Sequence, residues 1–509
     1  MQDCRDLLSR LNDRGIRLWV ESGQLRFQGP PGALVPELRD ELRRLRNDVI
    51  HLLEQGEDDA EEVPLQPRAA GAAVPLTAMQ LRRWKNRHRE KRYRLRTSTI
   101  ATRAVGEIKV SCLRASLDAL IERHESLRTR FVEVDGTPWQ NIDTPHPAEF
   151  EVIDLTGFPE NERQPRLRFL VNGLLAEEVD LCEGPLFTAK LFKLSNQEHV
   201  LVVTLNHMIT DGASDEIIRS ELWSLYRQLS EGKAPSLPSL ALQFADYAVW
   251  QQRTGDAWTR RHAAYWVERL CGAPIVKFPV DGNLPKTSNG RAMRRITFGA
   301  RLSSELRKFA QRQHYLLSLV ILTLYALKVS QWCKQKDFVA RLILSSRYRP
   351  ELSNMVGFLA NHLYLRIQLS EGGGFLDSLN RVQQEFHTAF DHLDFDRAPE
   401  FVPECHDTDF CFNWAPEFRW TFERPEEMVG KLTLESFECL PTRVLNFMPF
   451  LYDDGQEVAG WIEYRCDRFS ADTVRHFELD LHRLAEGCLH EPNAPITSIL
   501  ATGSHISAW

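Results

Sequence analysis

The chain has 509 residues, 43% of them hydrophobic and 26% charged, more material than one core ordinarily holds, so two or three domains are expected. Its 63 basic residues against 70 acidic ones give a net charge of −7, which argues against a general nucleic-acid binder, and its ten cysteines lack Cys-x-x-Cys or other zinc spacing, which argues against a metal centre and for reduced thiols. The start, Met1-Gln2-Asp3-Cys4-Arg5-Asp6, has no basic head followed by an apolar core, and the longest apolar stretch, Leu316 to Val329, is too short to span a bilayer, so a cytoplasmic protein with no membrane partner is expected.

A first unit covers residues 1–55. Leu7, Leu8 and Leu11 make a short helical face that stops near Gly15. Ile16, Leu18 and Val20 alternate as a strand does, Ser22-Gly23 turns the chain, and Leu25 and Phe27 alternate back, which predicts a hairpin. Pro36 suits a helix start, and Leu38, Leu42, Leu45, Val49, Leu52 and Leu53 continue one helical face as far as Gly56. Residues 56–75 are acidic, then rich in Pro, Ala and Gly, and are expected to be a mobile linker.

The body begins at residue 76. Strand and helix patterns mix throughout it, no repeat of solenoid length is present, and an α/β layered fold is expected. A run of basic residues from Arg82 to Arg96 is opposed only by Glu90; it suits either a solvated face or an electrostatic dock for an acidic protein or an anionic small molecule. His199 to Leu205 forms an apolar run expected to be a buried strand, followed by Asn206-His207-Met208-Ile209-Thr210-Asp211-Gly212. A helical pattern then carries Ile218, Leu222, Leu225 and Leu229 and ends at Gly232. An imidazole at a strand end before an Asp-Gly turn suits a general base or a group that positions a nucleophile near neutral pH. On the residues alone, a satisfied histidine beside an ordinary turn fits as well. A division into two lobes is expected near 240–275, around Pro235, Pro238 and Gly272-Ala273-Pro274, giving lobes 76–260 and 261–509.

The body resembles the condensation domains of nonribosomal peptide synthetases, within the chloramphenicol-acetyltransferase-like superfamily. Thr77-Ala78-Met79-Gln80-Leu81-Arg82-Arg83-Trp84 is similar to the family's opening motif, and Arg123-His124-Glu125-Ser126-Leu127-Arg128-Thr129-Arg130-Phe131 to its second. The histidine motif follows, then Asp246-Tyr247-Ala248-Val249-Trp250. Val356-Gly357-Phe358-Leu359-Ala360-Asn361, preceded by Ser346-Arg347-Tyr348-Arg349-Pro350-Glu351, resembles a fifth motif, and Gly460-Trp461-Ile462-Glu463-Tyr464 the closing strand. Residues 1–55 separately resemble a TubC-type β-hairpin docking domain, on Gly15-Ile16-Arg17-Leu18-Trp19-Val20, Leu25-Arg26-Phe27 and Pro31 to Leu34.

The resemblance implies an α/β fold in which two chloramphenicol-acetyltransferase-like lobes form a V-shaped pseudodimer behind a small α/β-hairpin docking domain. It implies that His207 is catalytic, that Asp211 is structural and pairs with Arg347, and that Gly212 permits a tight turn and lends its amide to an oxyanion. Asn206 departs from the family, which has histidine there, and is expected to keep the loop's shape. Arg17, Trp19 and Arg26 are expected to present a docking edge for a short C-terminal motif of an upstream acyl or peptidyl carrier protein. The chain itself would need no metal and no bound cofactor; phosphopantetheine would come with the carrier, and the acceptor would be a small molecule or carrier-bound. No carrier signature is present and no stretch would hold an adenylation domain, so the resemblance implies a free-standing enzyme that releases an acyl or polyketide chain as an ester or amide, as in enacyloxin-type assembly lines. Peptide-bond formation between two carriers, epimerisation and a non-catalytic docking or gating module remain as alternatives.

Overall fold

A computed structural model describes residues 11, 16–21, 24–28, 36–45, 49, 64–88, 98–282, 284, 290–347, 349–370, 372–393, 397–414, 427–437 and 446–501. The N-terminal unit has strands β1 (Arg17–Glu21) and β2 (Gln24–Gln28), paired antiparallel with Trp19 opposite Arg26, and helix α1 (Pro36–Arg44). Leu11, Ile16, Leu38, Leu42 and Val49 close a core of their own, the hairpin and helix faces that the periodicity predicts. Leu7, Leu8, Leu52 and Leu53 lie outside the described residues.

The segment before the body departs from the expected mobile linker at its C-terminal end. Strand β3 (Val74–Pro75) pairs with a strand of the body, and Val74 is buried. Upstream, the Arg68 guanidinium bridges Asp246 (2.9 Å) and Glu125 (2.9 Å), so two acids of the body hold residues that composition alone would leave free.

The chain then gives α2 (Ala78–Asn86), β4 (Ser98–Val105), α3 (Val110–Arg123), β5 (Thr129–Val134), β6 (Thr137–Ile142), β7 (Phe150–Asp154), α4 (Glu160–Ala176), β8 (Phe187–Lys193), β9 (Glu198–Leu205) and α5 (Gly212–Ser230). The 27-residue α6 (Phe244–Leu270) follows. Beyond it come β10 (Arg291–Thr297), α7 (Gly299–Gln313), α8 (Leu317–Cys333), β11 (Asp337–Ser345), β12 (Ala360–Gln368), α9 (Phe375–Asp391), β13 (Cys411–Trp414), β14 (Glu427–Val429), β15 (Leu432–Ser436), β16 (Phe447–Asp453), β17 (Val458–Arg465) and α10 (Ala471–His490).

Two six-stranded sheets organise the body, in the orders β14-β15-β4-β9-β8-β7 and β10-β17-β16-β13-β11-β12. Strand β9, buried along nearly its whole length, is central in the first, as its unbroken apolar run predicts. Helices α3 and α5 cover that sheet through Leu113, Leu117, Leu120, Ile218 and Leu222. The second sheet packs on α7, α8, α9 and α10. Helix α8 is apolar all round because it is enclosed on every side, with a continuous buried stretch from Leu319 to Val329. No single described helix is long and apolar enough to cross a membrane.

The lobes do not part at residues 260 and 261. Helix α6 runs unbroken through that point, with Phe244, Tyr247 and Trp250 in a cluster that also holds Met79, Leu352, Met355, Phe358 and Leu359, and with Trp266 and Leu270 in the second core. Strands β14 and β15, from the distal half of the chain, belong to the first sheet: Leu434 pairs with Ala104 and Thr433 with Val105. Their side of β4 would otherwise be an exposed edge.

Candidate active site

The corner after β9 is built by its own polar groups. Asn206 is 1% exposed; its amide donates to Leu186 O (3.0 Å), and its Oδ1 accepts from the Met208 amide (2.8 Å). That side-chain-to-backbone bond closes a local turn. Gln80 Nε2 donates to Met208 O at 2.7 Å and holds the turn from outside. Gln80 in turn forms a capping box with Thr77 at the start of α2. The opening motif therefore shapes the corner rather than lining it with chemistry.

His207 stands in this turn, buried to 9% exposure. Its Nδ1 lies 3.0 Å from the Thr210 carbonyl oxygen. A carbonyl only accepts, so Nδ1 carries a hydrogen; in the neutral ring Nε2 is then the basic nitrogen. The ring centroid is 6.2 Å from that of Phe358, which comes from the second half of the chain.

Asp211 caps α5 and is 3% exposed. Its Oδ1 accepts from Ser214 N (2.9 Å) and Ser214 Oγ (2.8 Å); its Oδ2 accepts from Arg347 Nη1 (2.8 Å) and Leu359 N (2.9 Å). Arg347 also donates through Nη2 to Ser214 Oγ (2.7 Å) and Met355 O (2.9 Å), and the Gly357 amide donates to Ser214 Oγ (3.0 Å). These bonds clamp the first-sheet corner to residues 355–359. Four donors fill the carboxylate, and His207 is not among them. Gly212 takes the first position of α5 and has no positive φ, so no left-handed turn demands a glycine there.

Ser214 and Gly357 take parts here that no sequence motif assigns them. Ser214 is detectable in principle, since Asp211-x-x-Ser214 is a helix-capping spacing. A Cβ on Gly357 would lie 2.2 Å from the Phe244 ring, a contact between residues far apart in sequence. Further motif residues act as ties: Ser126 Oγ donates to Val356 O (2.7 Å), and His124 Nε2 meets Glu221 (2.6 Å). In the basic run, Arg82 reaches His362 Nδ1 (3.2 Å), Arg83 lies over Phe358 (4.5 Å) and Arg87 over Trp84 (3.7 Å). Residues 89–97 lie outside the described residues. Arg17, Trp19 and Arg26 lie on the two-stranded β1–β2 sheet, and Arg26 is exposed.

Residues 71–398 match the family model for the condensation domain, and residues 4–55 that for the TubC N-terminal docking domain. The chain is 33% identical over 467 residues to a linear gramicidin synthase polypeptide of Brevibacillus parabrevis, covering 89% of this chain and 9% of that protein. It is 29% identical over 453 residues to phosphinothricin tripeptide synthetase PhsC of Streptomyces viridochromogenes, covering 86% of this chain and 41% of that one. The chain thus spans less than half the length of either relative. Among solved structures, the X-domain from teicoplanin biosynthesis aligns with TM-score 0.73 at 24% identity, over 85% of this chain and 99% of that one. A structure on condensation domain-mediated chain release from the enacyloxin polyketide synthase aligns with TM-score 0.65 at 21% identity, over 100% and 98%. These likenesses are of fold, and they agree with the expected α/β class of two chloramphenicol-acetyltransferase-like lobes.

Proposed function

The chain belongs to the condensation-domain family and carries a TubC-type docking domain, and from that premise we propose that it transfers an acyl or polyketide chain from a carrier protein's phosphopantetheine thioester to a hydroxyl or amine, releasing it as an ester or amide. The observation that carries this reading is the 3.0 Å contact between His207 Nδ1 and the Thr210 carbonyl oxygen. With Nδ1–H held by Thr210 O, the neutral ring offers Nε2 as the basic nitrogen, in a corner fixed to both halves of the body.

In the proposed reaction Nε2 takes the proton of the acceptor's –OH or –NH2 as its oxygen or nitrogen attacks the thioester carbonyl. The carbonyl electrons move to oxygen and return as the C–S bond breaks. The pantetheine sulfur leaves as a thiolate and takes the proton from the imidazolium. Asp211 and Arg347 serve as positioning residues that keep the corner rigid, in line with the large share of catalysis that orientation supplies. The upstream carrier would dock on residues 1–55 through the strand edge near Arg17, Trp19 and Arg26, and its pantetheine arm is substrate rather than cofactor of this chain.

The test is mass spectrometry of a loaded carrier incubated with the chain and candidate acceptors. Released ester or amide supports the proposal. A product that stays on a second carrier points to ordinary peptide-bond formation, and an inverted aminoacyl group to epimerisation. A thioester left intact with every acceptor points to the second reading, a docking or gating module, which draws on Asn206 standing where the family has histidine.

A further inference from the structure

Arg341 belongs to none of the motifs, yet it is a buried cation with no acidic partner among the described residues. It lies on β11, opposite Tyr364 of β12 and Cys411 of β13, and is 6% exposed. This face of the second sheet also bears Ile343, Cys411, Met448 and Phe450, a small cluster separate from the main core. Arg341 Nη1 lies 3.2 Å from His406 Nδ1 and 3.3 Å from His406 O, and its Nε is buried with no hydrogen-bond partner among the described residues. The Tyr364 hydroxyl stands 3.0 Å from the same imidazole nitrogen.

None of these contacts supplies negative charge. A guanidinium cannot shed its proton, and an uncompensated buried charge is among the costliest arrangements a protein holds. Cys411 could answer it only as a thiolate, but burial pushes that thiol up by more than Arg341 draws it down. The acid on the same face, Glu463, lies three strands away, about 14 Å at ordinary strand spacing, and sits 3.9 Å from Arg291 instead.

A succession of contacts leads from the cluster toward the candidate active site. The rings of His406 and His362 are 5.9 Å apart, and His362 meets Arg82 of α2. The next residue, Arg83, lies over Phe358, which faces His207. Through α2 these contacts link the surroundings of Arg341 to those of His207. We infer that Arg341, with His406 and Tyr364, receives a carboxylate carried by the acceptor, so that the acceptor is an acid bearing a separate hydroxyl or amine. This rests on the acyl-transfer reading for the word acceptor; the buried, unpaired guanidinium stands on its own geometry. A guanidinium fork matches a carboxylate in two-point contact, and Arg341 Nε is a donor already in place.

The test has two arms. In the first, a panel of hydroxy and amino carboxylates and their uncharged amides is titrated calorimetrically into the full chain and into Arg341→Gln and Arg341→Lys, with no donor present. The expected result is a carboxylate that binds the wild type more tightly than its amide, with that preference reduced about tenfold or more in Arg341→Gln and partly kept in Arg341→Lys. Thermal melts of both variants verify folding; Arg341→Gln removes an unpaired buried charge and is expected to stay folded. No carboxylate preferred over its amide, or a preference that survives Arg341→Gln, overturns the inference. In the second arm, kcat and KM are measured with carboxylate and amide acceptors. The expected result is a rise in KM confined to the carboxylate in Arg341→Gln. A rise in the KM for loaded carrier instead would assign Arg341 to the donor's phosphate and also overturn it. Because the first arm needs no turnover, failure of acyl transfer and failure of the carboxylate site are separable.

Discussion

Both carboxylate oxygens of Asp211 are occupied by Ser214, Arg347 and Leu359, and Arg347 is nearly as buried as the acid it pairs with. Replacing Asp211 by Ala is expected to destabilise the fold by about 3–5 kcal/mol, because Arg347 is left as a buried charge with its partner gone; thermal unfolding measures this, and a melting temperature near the wild type's would remove the clamp from the account. His207→Ala should behave differently. Its melting temperature should stay near that of the wild type while turnover falls by about 10²–10⁴-fold, the usual share of a placed proton acceptor. Asn206→Ala removes the acceptor for the Met208 amide, whereas Asn206→His keeps one in imidazole Nδ1. Asn206→His is therefore expected to retain most activity and Asn206→Ala to lose more, as single-turnover assays will show.

At the scale of elements, the legible features are the local ones. The strand, turn and helix around His207 follow from adjacent residues, and so do the hairpin of β1 and β2 and the start of α1 at Pro36. Arg347 is named only through a motif likeness, since nothing in its own surroundings says that it meets Asp211 across 136 positions. The composition of residues 64–75 is that of a linker and predicts mobility; the Arg68 bridge that holds them depends on acids far along the chain. The alternation of Leu432 and Leu434 announces a strand but is silent on which sheet takes it. The packing of Gly357 on Phe244 is hidden for the same reason and gives a test. Gly357→Ala drives a methyl into a buried ring and is expected to cost about 1–3 kcal/mol of stability, with acyl transfer lost in parallel as the clamp shifts. A variant that melts normally would show that Phe244 can move aside.

For the whole molecule, the docking unit has a core separate from those of the body, and its removal should spare the chemistry. A chain lacking residues 1–55 is expected to match the full chain at high carrier concentration and to fall behind when carrier is dilute, because docking raises the effective concentration of the thioester. An equal deficit at all concentrations would make residues 1–55 part of the body's fold instead. The first sheet, by contrast, is completed from the opposite end of the polypeptide by β14 and β15. On a ribosome this imposes an order of events: β4 must keep one flank of backbone amides and carbonyls without a partner strand until Ser436 has been synthesised, so the nascent protein passes through an interval in which that edge is open to other chains.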